Sequence, residues 1–338
     1  MARSAHAFQQ GVKAMAEEIF VTGGSGYLGR NLIRRLVRDG HAVVALARSA
    51  ASAARVEALG ATAVEGDMLD PASLEAGMAG CTRLVHAAAD TGHGAFEADQ
   101  HQTNLAGTTN VFIAARRAGI ARGVHVSTEA VLLSGAPLID ADETTPIPAR
   151  HAGSYSASKA AAERAALALN SAQCPIVVVR PRFVWGRDDT TALPQLAAAA
   201  RSGKLAWIDG GHYRTSTAHI DNVCEGIALA LEKGRGGEAY FITDGAPVEF
   251  RAFVTRLLQA AGLEVPAREV PRWLLVSLAH VGDFLARISR GRVHGPIGLQ
   301  ELGTVGTEVT LNIAKAEREL GYHPVISIDQ GMATVEQM

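Results

Sequence analysis

The stretch IFVTGGSGYLGR at residues 19–30 constrains the fold more than any other part of the chain. Ile19, Phe20 and Val21 read as a short buried strand, and Thr22 to Gly26 cannot continue it. From Tyr27 a helical pattern follows, with Leu28, Leu32, Ile33 and Leu36 on one face. Gly24, Gly26 and Gly29 satisfy G-x-G-x-x-G, while Gly23, Gly26 and Gly29 satisfy T-G-x-x-G-x-x-G. A Cβ at these places would obstruct a tight turn, the approach of a phosphate, and close packing of helix on strand. The amides opening the helix are then free to hold an anion at the positive end of its dipole.

The chain beyond agrees with a strand–turn–helix start. Strand-like apolar runs at 19–22, 42–47, 61–64, 84–88, 124–126 and 176–179 alternate with helical stretches rich in Ala, Leu and Arg. That rhythm predicts an α/β protein with a Rossmann-type, doubly wound parallel sheet covered by helices on both faces. After Arg180 the rhythm breaks at Pro181, Trp185-Gly186 and Pro194, and a further buried strand is expected near 238–243. The expected division is a dinucleotide-binding domain over 15–182, joined by that returning strand. Residues 183–237 and 244–338 form a smaller, mostly C-terminal α/β substrate lobe. Residues 1–14 are expected to be a disordered extension, since they lack a continuous apolar core and precede a second methionine, Met15.

Bulk properties narrow the function. A chain of 338 residues can bury a large core. A net charge of −2 offers no electrostatic case for nucleic acid or an anionic membrane. No run reaches the roughly 20 apolar residues of a spanning helix. Three dispersed cysteines, Cys81, Cys174 and Cys224, suggest a reducing compartment, so a cytoplasmic location is expected. Histidines such as His86, His93 and His101 lack metal-ligand spacing, and no metal site is expected.

The end of the second strand tests the glycine turn. A unit that prefers NAD usually places a carboxylate there for the ribose 2′-hydroxyl. Here the chain reads VVALARSAAS, with Arg48 and Ser49 at the turn and no acid until Glu57. An arginine fork and a hydroxyl suit a 2′-phosphate, which favours NADP(H), with NAD(H) as the alternative. Asp67 and Met68, after the third strand, could receive an adenine ring, although Asp is also a common loop and capping residue. Ala87, Ala88 and Ala89 would let a cofactor pass over the sheet edge.

Tyr155-Ser156-Ala157-Ser158-Lys159 places a phenol and an ammonium four apart, on one face of a helix. A phenol titrates near 10 and serves poorly at neutral pH unless a cation lowers that value, which Lys159 can do. Ser127 and Thr128 end the fifth strand, where a hydroxyl could hold a substrate carbonyl beside the phenol.

Together TGGSGYLG, the Ser127-Thr128 pair, YSASK, RPRFVWG and HIDNV resemble the extended short-chain dehydrogenase/reductases, over nearly the whole chain. The resemblance implies Tyr155 as catalytic acid–base, Lys159 as its activator and Thr128 as the catalytic hydroxyl. It places Ser127 beside the cofactor and lines the nicotinamide with Pro181 to Val184. Asn104 would support the active-site strand. His93 and Trp185 are candidate substrate contacts. Arg182, Phe183 and Val184 replace the polar pattern of the sugar-nucleotide epimerases and dehydratases. His219-Ile220-Asp221-Asn222-Val223 has the form typical of 3β-hydroxysteroid dehydrogenases and dihydroflavonol-type reductases. The expectation is therefore an NADP(H)-dependent interconversion of a ketone and a secondary alcohol on a hydrophobic small molecule. An NAD-dependent sugar-nucleotide epimerase or dehydratase is the runner-up, and a non-catalytic NADP-binding redox regulator stands further off. Family habit allows a homodimer. In the lobe, Leu274, Leu278, Val281, Leu285 and Ile288 form a helical stripe, for which core packing is the first expectation.

Overall fold

The computed structural model describes residues 17–90, 97–288 and 298–337. The calls at 1–14 and at His93 lie outside these residues. The strands β1 (Glu18–Thr22), β2 (Ala42–Ala47), β3 (Thr62–Glu65), β4 (Arg83–His86) and β5 (Arg122–Val126) build most of one sheet. Next in the chain come β6 (Leu138–Ala141), β7 (Ile176–Pro181), β8 (Val184–Trp185), β9 (Trp207–Ile208), β10 (Arg214–Thr215), β11 (Ala218–His219) and β12 (Ala239–Ile242). The main sheet runs in the order β12-β7-β5-β4-β1-β2-β3, and every pairing is parallel. The seven strand regions anticipated from the sequence are its seven strands, with ends shifted by a residue or two.

Successive side chains explain why the sheet needs cover on both faces. Ile19 and Val21 enter one core with Val43 and Ala45, whereas Phe20, Val44 and Leu46 enter the other. The first core is closed by Leu32, Ile33 and Leu36 of α1 (Tyr27–Arg38), with Val56 of α2 (Ala50–Glu57) alongside. The second is closed by Leu74 of α3 (Pro71–Gly77), Phe112 of α4 (Glu97–Arg117) and Ala166 of α5 (Ser154–Ala168). Trimming a fully buried side chain such as Leu32 to alanine costs about 2–5 kcal/mol.

The remaining helices are α6 (Ala192–Arg201), α7 (Ile220–Lys233), α8 (Phe250–Ala260), α9 (Arg272–Ile288), α10 (Leu299–Val305), α11 (Ala314–Leu320) and α12 (Ile328–Glu336). The strands β13 (Val248–Glu249), β14 (Glu269–Val270) and β15 (Val309–Leu311) complete the set. A small mixed sheet runs β13-β10-β15-β6, and β11 pairs with β8 and β14 with β9. Trp185, Trp207, Phe250, Phe253 and Leu257 form a separate apolar core. Chain order and packing are interleaved: β6 joins the small sheet, while Leu311, Ile313, Ala316 and Leu320 pack into the main one.

The stripe on α9 differs from expectation. Leu274, Leu278 and Val281 are exposed, as is Trp273, while Leu275, Val276 and Ala279 pack near Ile208, Leu299 and Leu302. The helix rests on α10 through that neighbouring face, which leaves the predicted stripe outward. No side-chain placement is described for Leu285 or Ile288. Among the described residues, no helix is long and apolar enough to cross a membrane.

Candidate active site

The glycine turn is built by close contacts. Gly23 has φ +73°, and a Cβ there would lie 2.6 Å from the Ala88 nitrogen. A Cβ at Gly29 would collide with the Gly23 carbonyl oxygen, so the first turn of α1 can sit against the loop only without a side chain. Gly26 caps α1 with no side-chain hydrogen bond, and the first turn carries no acid. Its leading amides therefore have no local anion, which is the donor set a pyrophosphate would use. Tyr27 is buried and Leu28 packs on the main core, so these two residues could meet a ligand mainly through their backbone.

Around this turn, Ala87 and Ala88 are tied to β1: the Ala87 N–H donates to the Thr22 carbonyl and the Ala88 N–H to the Thr22 hydroxyl. Ala89 is half-buried. Arg48 is exposed and has no polar partner among the described residues, while Ser49 caps α2 by accepting from the Ser52 N–H at 3.2 Å. Asp67 accepts from the Leu69 N–H at 2.8 Å, and Met68 is buried beneath Gly107. Ser49 and Asp67 thus both hold their own loops.

The catalytic candidates converge between β5 and α5. Gly153 opens α5, and Gln300 of α10 reaches across to accept from the Ser156 N–H. Tyr155, Lys159 and Glu163 then follow at four-residue steps on one face. The Lys159 ammonium donates to the Val126 carbonyl at 3.0 Å. Burial lowers Lys159 to about 8, with Glu163 acting the other way. Burial and then the Glu129 carboxylate push the Tyr155 phenol well above its ordinary value, and the Thr128 hydroxyl opposes them. Lys159 is thus held against the β5 main chain, and the expected lowering of Tyr155 is absent from the chain by itself. Asn104 joins α5 to the loop after β4, donating to the Ser158 hydroxyl and the Asp90 carbonyl.

Glu129, Glu163 and Arg180 escaped the sequence reading, and Arg182, named there only within the stretch Pro181 to Val184, joins them in two ion pairs. The Ser127 hydroxyl donates to Glu163 at 2.6 Å, and Glu163 pairs with Arg180. The Thr128 hydroxyl donates to Glu129 at 2.7 Å, and Glu129 pairs with Arg182 at 2.7 Å. All four charged side chains are buried. Behind them His86 stacks on His125 with centroids 5.3 Å apart. Burial and the nearby Lys159 hold both neutral, His86 at about 3.

Pro181 is buried and Val184 half-buried at the exit of β7. Trp185, an expected substrate contact, is fully buried instead. Its indole N–H donates to Asp244 and its ring meets His219 and Phe253 edge-on, so it belongs to the apolar core it shares with Trp207 and Phe250. Among the described residues, no group of His, Cys, Asp and Glu gathers to hold a metal ion.

Comparison with known proteins fits this geometry. The NAD dependent epimerase/dehydratase family matches residues 19–243. A 4-hydroxy-2-methyl-3-oxo-4-farnesyl-3,4-dihydroquinoline-1-oxide ketoreductase of Stigmatella aurantiaca is 49% identical, over 94% of this chain and 95% of that protein. A 2-alkyl-3-oxoalkanoate reductase of Stenotrophomonas maltophilia is 33% identical, over 93% and 97% respectively. Among solved structures, a dTDP-glucose 4,6-dehydratase from Streptomyces venezuelae with NAD bound is 27% identical. It superposes with a TM-score of 0.73, covering 95% of this chain and 96% of that one.

Proposed function

Because the chain belongs to the NAD dependent epimerase/dehydratase family, the extended short-chain dehydrogenase/reductases, we propose that it is an NADP(H)-dependent ketoreductase acting on a hydrophobic small molecule. The observation that carries this reading is Tyr155 and Lys159 one turn apart on α5, with the Lys159 ammonium donating to the Val126 carbonyl two residues before Thr128. The names of the two relatives, both reductases of ketones on apolar frameworks, support the substrate class.

A nicotinamide cofactor held here would supply or accept the hydride. The protein's own part is to position and to move a proton. Gly23, Gly26 and Gly29 admit a pyrophosphate to the amides of α1, and Arg48 reads a 2′-phosphate. Asp67 and Met68 flank the adenine, Ala87, Ala88 and Ala89 pass the cofactor along the sheet edge, and Ser127, Pro181 and Val184 line the nicotinamide. Lys159 would hold the ribose, the Thr128 hydroxyl would turn from Glu129 to donate to the substrate oxygen, and Tyr155 would give that oxygen a proton. A phenol raised by burial and Glu129 stays protonated through neutral pH, so it serves ketone reduction as a standing acid. Alcohol oxidation needs the tyrosinate, so its rate should climb with pH while reduction stays flat through neutrality.

The test is a titration with NADPH and NADH followed by tryptophan fluorescence, paired with turnover of Tyr155→Phe. NADPH should bind at least tenfold more tightly, and the variant should lose at least about a thousandfold in kcat while binding NADPH normally. Tightly retained NAD with no net cofactor consumption would instead favour the sugar-nucleotide branch.

A further inference from the structure

The surroundings of Thr128 say something about the substrate's charge. The Glu129 side chain is 5% exposed. One carboxylate oxygen accepts from the Thr128 hydroxyl at 2.7 Å, and the other from Arg182 Nη1 at 2.7 Å. The guanidinium therefore lies on the far side of the carboxylate from Thr128. Its remaining bonds point further away: Nε and Nη2 donate to the Thr215 hydroxyl at 3.2 and 3.0 Å, and Nη2 donates to the Thr304 carbonyl at 2.9 Å. Lys159, the other nearby cation, donates to the Val126 carbonyl.

A substrate oxygen held by Thr128 and Tyr155 would have the Glu129 carboxylate as the next charged group behind the hydroxyl. We infer that Glu129 is a charge filter, which admits ketones with a neutral neighbouring group and rejects those with a carboxylate beside the carbonyl. This deepens the ketoreductase reading and rests on it. Of the two kinds of substrate in the relatives' names, the filter admits the neutral ring ketone and turns away the 3-oxoalkanoate. Like charges roughly 6 Å apart at an effective dielectric of about 20 repel by about two decades in affinity, and the dipole with Arg182 returns about one of them. The expected discrimination is thus tenfold or more.

The probes are 3-oxodecanoate and its methyl ester, which share a skeleton and differ in charge. Each is measured at pH 7.5 for kcat/KM with NADPH, and separately for Kd with the NADP⁺-loaded protein. The wild type should favour the ester at least tenfold in both. Glu129→Gln keeps an acceptor for Thr128 but removes the charge, and should reduce that preference at least fivefold. Arg182 would then be a buried cation without its partner, so Glu129→Gln/Arg182→Met provides a second folded background with the same expected loss. Equal treatment of the two probes by the wild type overturns the filter. So does an ester preference that persists undiminished in either folded variant. If the wild type reduces neither probe, the ketoreductase reading fails for this skeleton, and the Kd ratios still decide on the filter.

Discussion

Ser127 and Thr128 are adjacent hydroxyls, each donating to a buried glutamate that is paired with an arginine near the end of β7. The two arrangements nevertheless differ in reach. Glu163 and Arg180 stay within the main sheet and its cover, with the guanidinium 5.6 Å from the centre of the Phe241 ring on β12. Glu129 and Arg182 cross between layers, because Arg182 continues to Thr215 on β10 and to Thr304 on α10. The first fixes a hydroxyl within the main sheet, which carries the glycine turn. The second ties one to the small sheet and α10, the side proposed here for the substrate. Similar chemistry thus has two uses, set by what lies behind each arginine.

Substitution should separate the two. Arg180→Leu leaves Glu163 charged and fully buried, and should cost about 3–5 kcal/mol in denaturant unfolding. Arg182→Leu should cost a similar amount, because Glu129 is likewise left buried with one hydroxyl donor, while kcat falls further than with any Arg180 variant that folds. Equal losses of kcat would erase the distinction. Lys159→Met probes the wall behind Ser127. A lysine lowered from 10.5 to about 8 binds fewer protons folded than unfolded between those values, so wild-type stability rises with pH across that window. Below pH 8 the penalty is in full force, so the inactive variant should be more stable by about 3 kcal/mol at pH 7 and lose its advantage above pH 10.5. Equal stability curves for the two proteins would mean the ammonium is better solvated than its burial implies. The smallest effect is expected far from both pairs: Trp273→Ser on the exposed face of α9 should change stability by no more than about 0.5 kcal/mol.

The strand positions and the glycine turn were legible because they rest on local patterns: apolar runs of set length, and glycines where a Cβ has no room. Tyr155 and Lys159 were legible because four-residue spacing fixes a helix face. Glu129, Glu163, Arg180 and Arg182 were not, since nothing in the sequence around them separates a buried ion pair from solvated charges. Their burial follows from which helix covers which strand, over separations of 17 and 53 residues. The outward turn of Leu274, Leu278 and Val281 escaped for the same reason: periodicity marks a face but not its neighbour. The lobe's two-residue strands are too short to carry any period.

The placement of β12 at the sheet's edge has a consequence for the chain as it is made. Its partner β7 ends at Pro181, and β12 begins at Ala239, 58 positions later. At roughly 5–20 residues per second of synthesis, β7 waits about 3–12 s with one side unpaired. Its sequence, IVVVRP, is rich in β-branched residues and has a single charge, the kind of edge that pairs readily with another chain. On the ribosome the vulnerable surface is therefore this strand's open flank, and the hazard ends when the last strand of the sheet arrives.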